Sequence, residues 1–208
     1  MTARDLITSA LYDAGIIALG RQPKAAELDE CIRRANMMFG TWSTRDLPWR
    51  EDTISLSGTA DVAQVTMPAN VIAVSAVRYV DSAVNERDMG RFERDDYRIL
   101  PNKAAKGIAT IYQFDRKLPA PVLNVWPVPP VAFALNADVT LSIPQIVEAS
   151  DDIEFPPEWR EAVMKNIGAR CARIFLGETP QSLAMEAAAL ERELFDYARP
   201  ASYFMGAC

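Results

Sequence analysis

The hydrophobic period of this chain changes twice, and that change limits the folds open to it. Near both ends apolar residues recur every three or four positions, and through the middle they recur every second position. The first spacing lines one face of a helix and the second lines one face of a strand. Helices, then strands, then helices predict an α+β fold. The N- and C-terminal helices are expected to form one helical bundle, with a mostly antiparallel β-rich domain inserted between them.

Residues 1–47 read as a helical hairpin. Thr2 with Asp5 is an N-cap and its box partner, Leu6, Ile7, Ala10, Leu11 and Ala14 share a face, and Gly15 is a stop. After Gly20, Pro23 suits the first position of a second helix, whose stripe is Leu28, Cys31, Ile32, Ala35, Met38, Phe39 and Trp42.

Residues 48–150 read as the β-rich domain. Asp52–Ser57 and Val62–Met67 flank Gly58 and Asp61, which predicts a hairpin. Val71–Val80 is apolar on both faces and reads as a buried strand. A charged excursion over 84–106 contains a short helical stretch, Phe92–Tyr97. Ile108–Phe114 and Val122–Trp126 predict a second hairpin. Then Phe133, Leu135, Ala137, Val139, Leu141 and Ile143 alternate with polar residues, one wet face against one core face.

Residues 151–198 return to helices expected to pack on 1–47. Trp159, Val163, Ile167, Cys171, Ile174 and Phe175 form one stripe, ended by Gly177. Thr179 and Pro180 open a last helix carrying Leu183, Ala187, Leu190, Leu194 and Tyr197, ended by Pro200. The remaining 199–208 form a docking tail with Tyr203, Phe204 and Met205.

Chemistry is scarce in this sequence. It contains no histidine, which removes the usual general base and the commonest metal ligand. No Gly-rich phosphate loop and no nucleophile elbow occurs. No cofactor is implied, and no catalytic or metal site is assigned. A carboxylate-only hydrolase needs just two acids, and Asp151, Asp152 and Glu154, or Asp95 and Asp96, could supply them; the alternative is solvated loop acids and helix N-terminal charges. Cys31 and Cys171 read as small core residues, and Cys208 as a terminal free thiol, a pattern suited to a reducing cytoplasm. A formal charge of −6, with the acidic excess after residue 50, shows no basic patch of the kind that wraps nucleic acid. No apolar run approaches the roughly 18 residues of a membrane span, and no signal segment opens the chain, so a soluble protein is expected.

Trp42, Trp126 and Trp159 occupy apolar positions and are expected in the core. Trp49, beside Pro48 and Arg50, suits either packing or a contact between subunits. Tyr203, Phe204 and Met205 follow a helix-ending proline, and such a tail is either frayed or docked on a partner, with docking the preferred reading.

The order of these features resembles the head-to-tail adaptor proteins of short-tailed phages, also called head-completion or packaged-DNA stabilisation proteins. The residues that carry the resemblance begin with Thr2-Ala3-Arg4-Asp5-Leu6-Ile7 and Ala14-Gly15-Ile16. Gly20 and Pro23 precede the helix running through Asn36 and Met37 to Trp42. Met67-Pro68 stands before the strand at 71–80, and Arg98 to Gly107 leads into Tyr112, Phe114 and Asp115. Leu123 to Trp126-Pro127-Val128-Pro129 follows, and Phe155-Pro156-Pro157-Glu158-Trp159 opens the last helices. The likeness covers nearly all of 1–198, by order and spacing rather than by any one motif.

The resemblance implies a structural virion protein in the neck between capsid and tail, assembled in the host cytoplasm. It implies a self-associating ring, commonly a dodecamer, that binds beneath the portal protein. The ring would extend the DNA channel without sequence-specific binding, help retain packaged DNA and give a downstream tail or nozzle protein its platform. Another connector or tail-tube ring is the alternative, and a virion-borne cell-wall hydrolase a more distant one. Tyr203, Phe204 and Met205 are the expected portal contacts. Trp49, Arg91, Arg94 and Arg98 are expected at lateral or tail-side contacts, because a long polar excursion within a sheet is usually functional.

Overall fold

The computed structural model describes residues 1–45, 47–81 and 85–198. It is α+β, with helices at both ends and a central, mostly antiparallel sheet region. In chain order, α1 (Ala3–Asp13) and α2 (Ala25–Trp42) come first. The strands are β1 (Glu51–Gly58), β2 (Gln64–Thr66), β3 (Val71–Val80), β4 (Glu86–Asp88) and β5 (Gly90–Arg91), then, after the short α3 (Arg94–Arg98), β6 (Ile111–Asp115), β7 (Val122–Trp126) and β8 (Phe133–Leu141). The chain closes with α4 (Arg160–Phe175) and α5 (Gln181–Ala198). The chain divides into two compact units, one comprising Met1–Trp49 and the chain from Ile143 onward, the other Arg50–Ser142.

The helical unit is built from both chain ends. Thr2 caps α1 as its sequence suggests: its hydroxyl accepts from the Asp5 backbone N–H at 3.2 Å, while the Asp5 carboxylate accepts from the Thr2 N–H. Gly15 and Gly177 follow α1 and α4 with φ of 68° and 82°, a region that glycine enters without a Cβ penalty. The expected stripe of α2 is buried from Leu28 to Trp42. That helix opens two residues later than Pro23 suggested, because the Glu27 carboxylate accepts from the Lys24 N–H at 2.8 Å and sets the first turn there.

Leu6, Ile7, Leu11, Phe39, Trp42, Trp159, Val163 and Ile167 share one core. At its centre Trp42 meets Trp159 and Phe195 edge-on, at ring-centroid distances of 6.0 and 5.6 Å. On α5 the residue that enters this cluster is Phe195, whereas Tyr197 is 81% exposed. Two residues along a helix turn it by roughly 200°, so the expected stripe through Leu183, Ala187, Leu190 and Leu194 packs inward but ends on Phe195 rather than on Tyr197.

The return segment before α4 is held by directed hydrogen bonds. The Asn36 side chain accepts from the Ile146 N–H and donates to the Ile146 carbonyl, both at 2.8 Å. The buried Ser43 hydroxyl accepts from the Ile143 N–H at 2.8 Å and donates to the Phe39 carbonyl. Near α1, the Ala3 and Arg4 N–H groups donate to the carbonyls of Asp151 and Ala149. Each bond satisfies a backbone group that would otherwise be costly to enclose.

The second unit holds two four-stranded sheets, ordered β1-β8-β3-β4 and β2-β7-β6-β5. All pairings are antiparallel except β5 with β6. Val74, Val77, Leu135 and Ala137 of the first sheet and Val65, Tyr112, Leu123 and Val125 of the second share a core. The expected β6–β7 hairpin is present, and β8 buries Phe133, Leu135, Ala137 and Val139 in strict alternation.

Two sequence expectations are corrected here. The segments Asp52–Ser57 and Val62–Met67 do not pair with each other. β1 pairs with β8 over eight residues, while β2 joins β7 in the other sheet. Eight ladder positions outweigh the three that β2 can offer, and the link crosses between sheets at Asp61, whose φ is 62°. In addition, β3 is not buried on both faces: Val71, Val74, Val77 and Tyr79 are buried and Ser75 is exposed. Register shifts between Val71 and Ala73 and between Val74 and Ala76 reset its alternation, which is why its sequence lacks a clean period.

Candidate interface surfaces

The β unit turns a continuous polar lattice away from its core. Arg78 on β3 donates from Nη1 and Nη2 to both oxygens of Asp138 on β8, at 2.6 and 2.8 Å, and from Nε to Glu86 on β4 at 2.7 Å. Asn136 on β8 donates to Glu86 at 2.6 Å and accepts from the Ser55 hydroxyl, while the Thr53 hydroxyl donates to Asp138. Thr53 and Ser55 both lie on β1, so the loop of contacts closes across four strands. A planar guanidinium serving one carboxylate bidentately and another through Nε has little freedom left. The lattice therefore pins the register of all four strands and presents a stiff face carrying one more acid than base.

Hydrogen bonds from Arg78 and then Thr53 hold the Asp138 carboxyl below its usual range, and the pairing raises Arg78. The sign follows directly. A carboxyl with a lower pKa folded than unfolded stabilises the fold above its unfolded value near 3.8, and that contribution disappears as pH falls through the folded value. Arg78→Met should cost about 1–2 kcal/mol at neutral pH, since it removes charge-assisted bonds and leaves two carboxylates facing each other. Urea unfolding followed down to acid pH checks this: the gap between the two proteins should narrow below about pH 4.

Over its described residues, 85–106, the charged excursion is tied down by defined contacts. Arg91, on β5, donates to the Val74 carbonyl at 3.5 Å and lies 3.2 Å from Glu93. Arg94 and Arg98 are exposed at the two ends of α3, and Arg98 lies 3.6 Å from Asp95. Further on, the Trp126 indole N–H donates to the Asn102 carbonyl at 2.8 Å, the Gly107 N–H donates to the Val128 carbonyl, and the Val128 N–H donates to the Ala105 carbonyl. Trp126 is therefore half-buried and anchors this loop instead of filling the core. Asp95 and Asp96 occupy the exposed first turn of α3.

The remaining acids have structural partners too. Asp151 Oδ2 accepts from the N–H groups of Glu148 and Val147, both at 2.8 Å, and these bonds lower its pKa. A carboxylate so held is a poor proton donor, which is the role a hydrolase would require of one member of its pair. Asp152 lies 3.6 Å from the N-terminal amine and Glu154 is exposed. Among the described residues no group of three or more His, Cys, Asp or Glu is placed to hold a metal ion, and no helix is long and apolar enough to cross a membrane.

In the helical unit Trp49 is half-buried, packed on Phe155 and Trp159 at 5.6 and 5.9 Å. A groove of about 580 Å³ runs between α4 and α5. Arg45 stands at its edge, 4.4 Å over the Phe195 ring and 2.8 Å from Glu191. Tyr203, Phe204, Met205 and Cys208 lie outside the described residues.

The surface lattice, Asn36 with Ile146, and Phe195 were not singled out by sequence reasoning. Asn36 carried a trace of its role as a polar residue inside an apolar helix; the lattice joins residues too far apart in sequence to leave any such trace.

The polar groups described above are held by hydrogen bonds and ion pairs to their neighbours. The sequence matches the family described as SU10 adaptor protein over residues 1–205. The chain belongs to the SU10 adaptor protein family. The resemblance to adaptor proteins read from residues 2–159 is thereby confirmed. No curated protein matches the chain. A solved structure described as the neck of an empty GTA particle, computed with C6 symmetry, shares 16% identity, with 96% of this chain and 91% of that chain covered and a TM-score of 0.31.

Proposed function

We propose that this SU10 adaptor family member is a ring subunit of the head-to-tail connector in a virion neck. The ring binds beneath the portal, extends the DNA channel, helps retain packaged DNA and carries the downstream tail or nozzle protein. The observation that carries this reading is the family match along residues 1–205. The architecture supports it. Helices from both chain ends share one hydrophobic core, a base onto which the tail 199–208 can bring Tyr203, Phe204 and Met205 for portal docking. The β unit supplies a stiff polar face, and Arg91, Arg94 and Arg98, with Trp49 of the helical unit, make lateral or tail-side contacts in a closed ring, commonly a dodecamer. Heterologous contacts of this kind close by rotation. The role is structural, with no catalytic step.

The test is to mix the purified chain with portal rings and image them by negative stain. An added layer of density on one end of the portal is the expected result, and its absence overturns the reading. Stacked rings or tubes formed without portal would assign the chain to the tail tube instead. Reversing Arg91, Arg94 and Arg98 to Glu should weaken ring assembly roughly tenfold or more at low salt, with the loss shrinking as salt rises. Unchanged assembly would remove these residues from the interface.

A further inference from the structure

Among the buried groups left without a role, two sulfurs are conspicuous. Cys31 on α2 and Cys171 on α4 are both fully buried, and their Sγ atoms lie 3.1 Å apart. That is about 1 Å beyond the length of a disulfide bond. The residues are 140 positions apart, so this contact joins the two chain ends that build the helical unit, with the whole of Arg50–Ser142 between them.

We infer that Cys31 and Cys171 form a redox site in which a peroxide-class oxidant converts the contact into a disulfide stapling α2 to α4. The position gives the bond a purpose. The helical unit is discontinuous, and its two segments are otherwise joined by packing and by hydrogen bonds such as Asn36 to Ile146. A cross-link there closes a very long loop and restricts the unfolded chain more than a short one would. If the chain is a virion neck subunit, as proposed above, it is made in a reducing cytoplasm and released into an oxidising medium, where the staple would be set.

The step balances. One thiolate attacks a peroxide oxygen, the O–O bond breaks, and a sulfenic acid forms as water leaves. The second thiol attacks that sulfur, the S–O bond breaks, and a second water carries off the remaining oxygen and proton. The two sulfurs supply both electrons. The contact between the two sulfurs lowers the Cys171 pKa, while that contact and then burial raise Cys31.

The experiment treats the reduced full-length protein with hydrogen peroxide and digests it without reductant. The expected product is the Cys31 peptide joined to the Cys171 peptide, with a Tm raised by roughly 10 °C and restored by dithiothreitol. Cys208→Ser should leave both results unchanged, and Cys31→Ala should lose both. Two thiols that stay free in the native chain, and are alkylated only in denaturant, would overturn the inference. So would linkages confined to Cys208, or a Cys31–Cys171 bond that leaves the Tm unraised. None of these outcomes depends on portal binding, so a failed staple and a failed neck assignment are read separately.

Discussion

Trp42→Ala is expected to remove about 3–5 kcal/mol from the stability of the helical unit. Trp42 is fully enclosed, and three ring systems meet there: its own, Trp159 and Phe195, with Trp159 and Phe195 also 5.1 Å apart edge-on. Truncation leaves a cavity walled by two large rigid groups, Trp159 and Phe195, on different segments, which cannot both move inward freely because they already pack on each other. Against a total of about 5–15 kcal/mol for a typical domain, such a loss leaves little folded margin. The Trp42 indole N–H is buried without a hydrogen-bond acceptor among the described residues. Trp42→Phe should consequently cost much less than the alanine change, because it keeps much of the ring volume and deletes an unsatisfied donor. Urea unfolding monitored by far-UV circular dichroism separates the two: a low midpoint for alanine and a nearly native one for phenylalanine. Equal midpoints would show that the cluster relaxes around the loss.

The parts of this fold legible in the sequence are those fixed within a few residues. Thr2 and Asp5 form their capping box from adjacent turns, and the positive φ at Gly15 and Gly177 is a local requirement of the backbone. The stripe from Leu28 to Trp42 and the alternation of β8 are equally local, and all appear where their periods place them. What was hidden depends on partners far along the chain. β1 has a neighbour in sequence that looks like a hairpin mate, but β8, some eighty residues away, offers it a longer ladder. Sequence spacing gives no weight to that competition. The Arg78 lattice is illegible for the same reason: Arg78, Asp138 and Thr53 read separately as surface polar residues. On α5 the choice between Phe195 and Tyr197 turned on helix phase at the chain's far end, where small errors in period accumulate.

This separation between core and surface makes the portal-docking proposal testable without unfolding the protein. A chain ending at Ala198 retains α5 entire, including Phe195, whose ring faces Trp42 and Trp159. Lys165, which pairs with Asp13 and Glu186 across α1, α4 and α5, is also retained. Truncation should therefore leave the Tm within a degree or so of the full chain. What is removed is Tyr203, Phe204 and Met205, the aromatic and thioether side chains that typically carry an interface. Losing such a cluster should weaken portal binding on the order of a hundredfold or more, measured by co-sedimentation with portal rings. Restoring the tail with all three residues changed to Ser should be as defective as the deletion, since length alone is not the requirement. Portal binding that survives with unchanged affinity would move the docking surface off the tail and onto the helices.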